Sequence, residues 1–324
     1  MRRRDALAFV LATGAAPLAL RAQSTKVRRL AWISGSPVAP SDVWNEFLAG
    51  MRKYGWDEGK NFTVENLRYG GDSERLAATA AEAARGKFDL IIAAGTPPAL
   101  AAKSATSTIP IVFYFVGDPI GSGLVANLAR PGGNVTGLGG FGAGVYGKML
   151  ELLVEAVPRA KRIAVLVNPL FPAHTTFAAD AAAAAVRKKV ALGPIELRSP
   201  ADLDNAIAAI VRQKPDALLI LSQPFLFNLG PRMASMALRQ RLPAISPIEH
   251  VTQEGLLMSY GPRIVDDARR MPYFVDRILR GDRPGSLPVE QPTQFYLAVN
   301  QKTAKAIGVT IPPTLLQRAE VVVT

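Results

Sequence analysis

Cysteine is absent from this chain of 324 residues, and histidine occurs only at His174 and His250. Without cysteine the protein can form no disulfide, no thiolate nucleophile and no cysteine-based zinc or iron–sulfur site. Two histidines that lie far apart in the sequence argue against a histidine-rich metal site and leave few general bases for catalysis. We therefore predict that the protein binds no metal and no cofactor, has no catalytic residues and is not an enzyme.

Complete nucleotide-binding motifs are also missing. The stretch GLGGFGAGVYGKML, which begins at Gly137, contains G-x-G-x-x-G and G-x-x-x-x-G-K. The first pattern requires an acidic residue at the end of the next strand, and the second requires Ser or Thr after the lysine. Asn168 and Met149 stand at those two places. Because glycine accepts positive φ angles, we interpret the stretch as a hinge where the chain leaves one lobe.

Basic residues outnumber acidic ones, and the net charge is +12. The segment 1–23 carries four arginines and one aspartate, so its removal lowers this charge by three, to +9. The remaining basic residues are dispersed, apart from KVRR at 26–29 and RKK at 187–189, and no series of aromatic residues accompanies them. A solvated surface explains such a distribution better than a groove for nucleic acid.

The segment 1–23 has the pattern of an export signal. Arg2, Arg3 and Arg4 precede a mostly apolar run, ALAFVLATGAAPLAL, which is too short to span a bilayer comfortably. RAQS follows, and its small residue Ala22 suits cleavage by a signal peptidase. The arginine pair favours the twin-arginine route, and a general secretory signal is the alternative. We predict a cleaved signal at 1–23 and a periplasmic protein.

The rest of the chain predicts an α/β protein with two Rossmann-like lobes. Apolar strand-like runs alternate with helix-like segments, which is typical of parallel sheets, and the length suits two domains. The alternation restarts near residue 143, and the part of the chain after residue 261 is too short for a third domain. We therefore expect one lobe at 27–142 plus about 257–291, and a second at 143–256 plus about 292–324.

Ligands of open parallel sheets collect beyond the carboxyl ends of the strands. Thr96 begins a predicted helix whose free N–H groups suit a carboxylate, and Asp118 suits an ammonium or hydroxyl group. Trp32 and Phe225 are also near strand ends, where they could flank a planar group. Each of these residues is alternatively a turn or cap residue. The predicted binding residues are Ser34, Ser36, Gly95, Thr96, Asp118, Asn168, Phe171, Ser222, Gln223 and Tyr260.

Three segments resemble a known family. They are GTPPALAAKSATSTIPIVF, GDPIGSGLVANLARPGGNVTG and FYLAVNQKTAKAIGVTIPPTLLQRAEVV, and the similarity covers about residues 27–323. The chain resembles the substrate-binding proteins of ABC transporters, a family that includes tryptophan-binding proteins. The resemblance implies a type I periplasmic binding protein architecture, in which three crossovers join two α/β lobes around a ligand cleft. It places Thr96 and Asp118 at the cleft edge of the first lobe.

The resemblance also implies a function and partners. We expect a monomeric solute-binding protein that takes up a small molecule, an amino acid or an aromatic compound, by hinge closure. Its second partner would be an ABC permease in the inner membrane. The alternative is a periplasmic sensor or partner protein with the same fold and no dedicated transporter.

Overall fold

The computed structural model describes residues 26–35, 41–70, 72–140, 144–171, 173–222 and 226–324. The predicted signal at 1–23, together with Ser36, Gln223 and Phe225, lies outside the described residues. None of the helices in the described ranges combines the length and the apolar character needed to cross a membrane.

The chain begins with four strands and three helices in alternation and adds a fifth strand: β1 (Arg28–Ser34), α1 (Ser41–Lys53), β2 (Phe62–Arg68), α2 (Ser73–Arg85), β3 (Leu90–Ala94), α3 (Thr96–Ala105), β4 (Ile111–Val116) and β5 (Val135–Gly139). The five strands form one parallel sheet in the order β2-β1-β3-β4-β5. Nearly every residue of β3, β4 and β5 is buried, as expected when helices cover both faces of a parallel sheet.

A second series follows: α4 (Val145–Ala156), β6 (Arg162–Val167), α5 (Ala173–Lys188), β7 (Ala191–Glu196), α6 (Leu203–Gln213), β8 (Ala217–Ile220), α7 (Leu226–Arg239), β9 (Ala244–Ser246), α8 (Glu249–Gln253) and β10 (Met258–Gly261). The chain ends with α9 (Ile264–Leu279), β11 (Tyr296–Asn300), α10 (Gln301–Ile307), α11 (Pro313–Arg318) and β12 (Val321–Val323), and short 3₁₀ turns lie at 200–202 and 284–286. The second sheet has the order β12-β11-β10-β9-β8-β6-β7, and only the β10–β11 pair is antiparallel.

The fold is therefore an α/β fold with parallel-dominated sheets in two lobes, as the sequence predicts. Each sheet has an apolar cluster on both faces. In the first lobe α1 and α9 cover one face, and α2 and α3 cover the other. In the second lobe α4 and α5 cover one face, and α6, α7 and α8 cover the other.

The described strands and helices place three crossovers between the lobes: the first between the end of β5 at Gly139 and the start of α4 at Val145, the second at 261–264 and the third at 290–296. The second differs from the sequence-based division, which assigned residues from about 257 to the first lobe. Met258–Gly261 instead pair with β9 and β11 of the second sheet, and the chain returns to the first lobe only at α9. The apolar run GLLMSYG marks a strand, but the partners of a strand depend on residues that are distant in sequence.

Helix α9 belongs to the first lobe because it packs closely against α1. A Cβ atom on Gly50 of α1 would lie 2.6 Å from Cγ of Pro272 in α9. The indole nitrogen of Trp56 donates a hydrogen bond to the Asp276 carboxylate of α9 over 2.8 Å. These contacts attach a segment from late in the chain to the start of the sheet.

The glycine-rich stretch begins inside β5 and ends in α4. Gly137 has φ +149°, and a Cβ atom there would lie 2.0 Å from the carbonyl oxygen of Phe113, so only glycine fits beside β4. Gly142 lies outside the described residues. Met149 is fully buried in the core of the second lobe. The stretch thus connects the first lobe to the second, and its role as a hinge stays a prediction.

Candidate ligand cleft

The carboxyl ends of the strands carry most of the predicted binding residues. In the first lobe these are Ser34 at the end of β1, Gly95 and Thr96 after β3, and Asp118 after β4. In the second lobe Asn168 and Phe171 follow β6, Ser222 follows β8, and Tyr260 lies in β10. Because parallel strands end on the same edge, each lobe presents its residues along one edge of its sheet.

Thr96 connects two loops of the first lobe. The N–H of Gly117 donates a hydrogen bond to the Thr96 hydroxyl oxygen over 3.3 Å, and Thr96 is almost completely buried. Gly95 precedes it with φ +93°, a conformation that favours glycine, and forms the N-cap of α3. Ser34 is also buried, and its carbonyl oxygen accepts the N–H of Tyr69.

Asp118 is half-buried and stabilises the turn that follows it through a hydrogen bond. Its carboxylate accepts the N–H of Gly121 over 2.8 Å. It also lines a cavity of about 170 Å³ whose walls come from both lobes and from the third crossover. The lining residues are Gly117, Asp118, Pro119, Ile120, Leu128 and Gly140 of the first lobe, Tyr146, Thr176, Phe177 and Asp180 of the second, and Gln291. We call this space the interlobe cavity.

Asp180 is a residue of the interlobe cavity that sequence reasoning missed. It lies in α5, and its carboxylate accepts the N–H of Gly147 over 3.0 Å. Gly147 is in the first turn of α4, where the N–H groups have no partner within the helix. The tyrosine and phenylalanine rings of Tyr146 and Phe177 lie 4.4 Å apart beside it. The Ala-rich sequence around Asp180 gives no sign of this role.

The edge of the second lobe is held together by His174. Its Nδ1 accepts the N–H of Asn168 over 2.8 Å, and its Nε2 lies 2.8 Å from the carbonyl oxygen of Ser222. A neutral ring with the proton on Nε2 satisfies both partners. Burial lowers the pKa of His174 to about 4, so the ring remains neutral at physiological pH.

The other predicted residues of this edge make structural contacts. The Asn168 side chain accepts the N–H of Leu170 and donates to the carbonyl oxygen of Arg198. The N–H of Ser222 donates to the hydroxyl oxygen of Tyr146 over 3.3 Å, and burial raises the pKa of Tyr146 far above its ordinary value. Phe171 packs edge-on against the His174 ring at 5.2 Å.

Tyr260 lies near the crossovers and is not among the residues that line the interlobe cavity. Its ring stacks on Phe295 of the third crossover, with centroids 5.9 Å apart. Burial raises the pKa of Tyr260.

Trp32, which the sequence suggested could flank a ligand, is fully buried in the core of the first lobe between Trp44, Phe47 and Tyr114.

Phe115 and Asp267 are further residues at the lobe boundary that the sequence does not reveal. Phe115 lies in β4 with φ +55°, and its N–H donates to the carboxylate of Asp267 over 3.1 Å. The Phe115 ring packs against the core of the first lobe and against both apolar clusters of the second.

Within the described ranges no group of three or more His, Cys, Asp or Glu side chains is arranged to hold a metal ion.

Comparison with known proteins agrees with this architecture. A model of the family described as ABC transporter substrate binding protein matches residues 40–323. The chain is also 27% identical, over 265 residues, to the tyrosine-binding protein of Clostridioides difficile (strain R20291). That match covers 81% of this chain and 75% of the relative.

Two solved structures each align with 92% of this chain over the whole of their own length. The ABC domain of Streptococcus pneumoniae in complex with L-Trp is 21% identical and has a TM-score of 0.84. The ligand-free, open structure of a substrate-binding protein with adhesive properties from Clostridium difficile is 25% identical, with a TM-score of 0.66.

Proposed function

Because the chain belongs to the family of ABC transporter substrate-binding proteins, we propose that it is the exported solute-binding component of an ABC importer. It captures a small molecule between its two lobes. The observation that carries this proposal is a family match that spans both lobes and all three crossovers, together with a cavity walled by both lobes.

The proposed ligand is an amino acid or an aromatic compound. The curated relative is a tyrosine-binding protein, and one structural neighbour holds L-Trp. In this chain the interlobe cavity combines the rings of Tyr146 and Phe177 with the carboxylates of Asp118 and Asp180. Aromatic rings suit the flat apolar part of such a ligand, and carboxylates suit its ammonium group.

Hinge closure is the proposed mechanism. The chain superposes better on the L-Trp complex than on the ligand-free open structure, although it is more identical in sequence to the latter. A different arrangement of the lobes lowers such a score without any change of fold. A ligand that contacts both lobes favours the closed arrangement in proportion to its differential affinity for the two.

Each predicted binding residue has a place in this proposal. Thr96 and the first turn of α3 would receive a carboxylate, and Asp118 would receive an ammonium or hydroxyl group. Ser34 and Gly95 would complete the edge of the first lobe, and Ser36, outside the described residues, stays a predicted binding residue. Asn168, Phe171 and Ser222 would form the edge of the second, Tyr260 would flank a planar part of the ligand, and Gln223, outside the described residues, stays a predicted binding residue.

Export and docking complete the proposed role. Residues 1–23 would direct the protein to the periplasm by the twin-arginine or the general secretory route, and the closed monomer would be recognised by a permease in the inner membrane. The transporter role is tested by measuring the uptake of the radiolabelled ligand into cells that produce this protein and into cells that lack it. Equal uptake in both would contradict it.

Ligand binding is tested by thermal shift. The purified protein is unfolded and refolded to remove any bound ligand, and then heated with L-tyrosine, L-tryptophan, other amino acids, aromatic acids and sugars. A ligand that binds only the native state raises the Tm. We expect a shift with an aromatic amino acid or acid, and its loss in Asp118→Ala and Thr96→Val.

The matched control is Asp204→Asn, whose carboxylate lies in α6 and pairs with Arg232 on the surface. This variant should keep the full shift. No shift with any member of the panel, or an equal loss in Asp204→Asn, would contradict the proposed ligand cleft.

A further inference from the structure

Phe115 has an unusual backbone for its place in the fold. Of the described residues other than glycine, only five have positive φ, and the remaining four are Lys87, Lys189, Lys214 and Arg241. Phe115 alone among them lies inside a strand, and the pairing of β4 with β5 shifts register between Phe113 and Val116. Such a conformation persists only where the surroundings enforce it.

The surroundings of Phe115 come from both lobes. Its ring packs against apolar clusters on opposite faces of the second sheet, so it lies over the end of that sheet. Its N–H is held from the first lobe by the carboxylate of Asp267. The hydrogen bond thus lies directly behind a contact between the two lobes.

Asp267 lies where the crossovers converge. It is in the first turn of α9, immediately after the second crossover. A small cavity of about 10 Å³ beside it is lined by residues of all three crossovers and of the β4 bulge: Phe115, Val116, Gly139, Gly140, Pro262, Asp267 and Pro292. On its other side Asp267 retains some exposed surface in a groove of about 260 Å³.

The charged groups around Asp267 have other partners. Arg263 pairs with Glu249 of α8, and Arg270 pairs with Glu290 through two hydrogen bonds. Asp266 pairs with Arg269, and burial together with the charge of Asp267 raises the pKa of Tyr114 in β4. Among the described residues no Lys, Arg or His nitrogen forms an ion pair with the Asp267 carboxylate. Within the described part of the chain, the N–H of Phe115 donates a hydrogen bond to this carboxylate.

We propose that Asp267 is a positioning residue that couples closure of the lobes to the uptake of one proton. The inference rests on the proposed function, because it concerns the same closing movement. Asp267 acts through Phe115: it holds the bulge that presses the ring against the second lobe. When the lobes separate, the Phe115 ring loses that contact and water reaches the cavity between the crossovers.

The direction of the coupling follows from the charge environment. In the present arrangement burial raises the pKa of Asp267 to about 7, while the hydrogen bond from Phe115 lowers it and the charge of Asp266 raises it. Water in an open arrangement would return this pKa towards the ordinary value of a carboxyl group. The closed arrangement therefore binds the proton more tightly, and closure becomes more favourable as the pH falls below 7.

The test measures the distance between the lobes without any ligand. The chain has no cysteine, so Glu82→Cys in α2 and Val186→Cys in α5, both exposed, can carry a fluorophore pair for single-molecule energy transfer. Between pH 8.5 and 5.5 we expect a closed-to-open ratio that is constant above about pH 8 and rises below pH 7, by at most about tenfold per pH unit.

Two variants decide the result. Asp267→Asn should give a ratio that does not change with pH and is at least as high as that of the unmodified chain at pH 5.5, because the neutral amide resembles the protonated carboxyl. Asp266→Asn removes a neighbouring, more exposed carboxylate and should keep the response. A response that survives in Asp267→Asn, or no response in the unmodified chain, would overturn the proposal.

A second measurement covers the case in which Asp267→Asn does not fold. In the unmodified chain the amide ¹⁵N signal of Phe115 should titrate with a midpoint near pH 7. A signal that does not change with pH would overturn the proposal. Neither readout uses a ligand, so a failure of the proposed ligand binding would leave both unaffected and would be recognised separately.

Discussion

The two lobes present the ends of their strands in different ways. In the second lobe His174 is bonded to the backbone N–H of Asn168 and to the carbonyl oxygen of Ser222, and Tyr146 accepts the N–H of Ser222, so that the edge is one connected frame. In the first lobe Thr96 and Asp118 each accept one backbone N–H nearby, and Asp118 also faces the interlobe cavity. The strained residue Phe115 is on this side as well.

This difference indicates that the two lobes respond differently when they move. A frame of buried, mutually satisfied polar groups is costly to disturb, so we expect the second lobe to keep its shape when the lobes move. The first lobe contains a bulge with the strained residue Phe115, whose N–H donates to the Asp267 carboxylate, so we expect adjustment there. Four variants test this comparison.

The largest effect is expected from His174→Ala. It leaves the N–H of Asn168 and the carbonyl oxygen of Ser222 without their partners in a buried place, which should lower the free energy of unfolding by about 3 kcal/mol. Urea denaturation at pH 7 measures this. His250→Ala, which removes an exposed ring beside Glu254, is the control and should change stability by less than about 0.5 kcal/mol. Equal losses in the two variants would refute the frame.

Asp267→Asn should stabilise the protein at pH 8 by about 2 kcal/mol, roughly half of what a pKa raised from 3.8 to about 7 gives in full, because Asp267 keeps some exposed surface. The pKa of Asp267 is raised to about 7 in the fold, so the unfolded chain releases this proton at lower pH than the native protein. Native stability therefore falls as the pH rises from about 4 to 7, and the variant removes that loss. Thermal denaturation at pH 8 and pH 5 should show a larger gain at pH 8. A gain that is independent of pH would contradict the assignment.

Tyr146→Phe removes the hydroxyl oxygen that accepts the N–H of Ser222. We expect a loss of about 1.5 kcal/mol, because the N–H is buried and is left without this acceptor. Tyr296→Phe removes a surface hydroxyl that donates to Gln294, and should be nearly neutral. Urea midpoints of the two variants give the comparison, and a similar small change in both would show that this bond adds little to the frame.

Thr96→Val should have the smallest effect on stability, about 1 kcal/mol, since it removes one acceptor from the N–H of Gly117. The control is Thr108→Val, at an exposed position. Ligand affinity should respond more than stability does, because the hydroxyl lies beside the first turn of α3. Calorimetry with the ligand found by thermal shift measures this, and unchanged affinity would remove Thr96 from the proposed site.

Much of the fold can be predicted because short stretches of sequence determine where its strands and helices begin and end. Alternating apolar runs mark the strands, and the proline pair of α3 and the glycine after α10 mark where those helices begin and end. The sheet to which β10 belongs cannot be read in this way, since Met258–Gly261 is assigned by pairing with β9 and β11.

The candidate site is less accessible to prediction. Thr96 and Asp118 follow strands directly, and position alone suggests them. Asp180 and Asp267 lie in helices, and each lines a cavity whose other walls come from the other lobe or from the crossovers. His174 lies in the first turn of α5, and both its nitrogens face backbone groups of its own lobe, which the sequence around it does not reveal.

The aromatic cluster around Trp32 has a practical consequence. The three tryptophans of the chain are Trp32, Trp44 and Trp56, and all of them lie in the first lobe. Intrinsic fluorescence excited at the red edge of the absorption band therefore reports on that lobe alone, whereas circular dichroism reports on helices of both. If both signals are recorded in the same denaturation experiment, a difference between them shows that the two lobes unfold separately, and no label is needed.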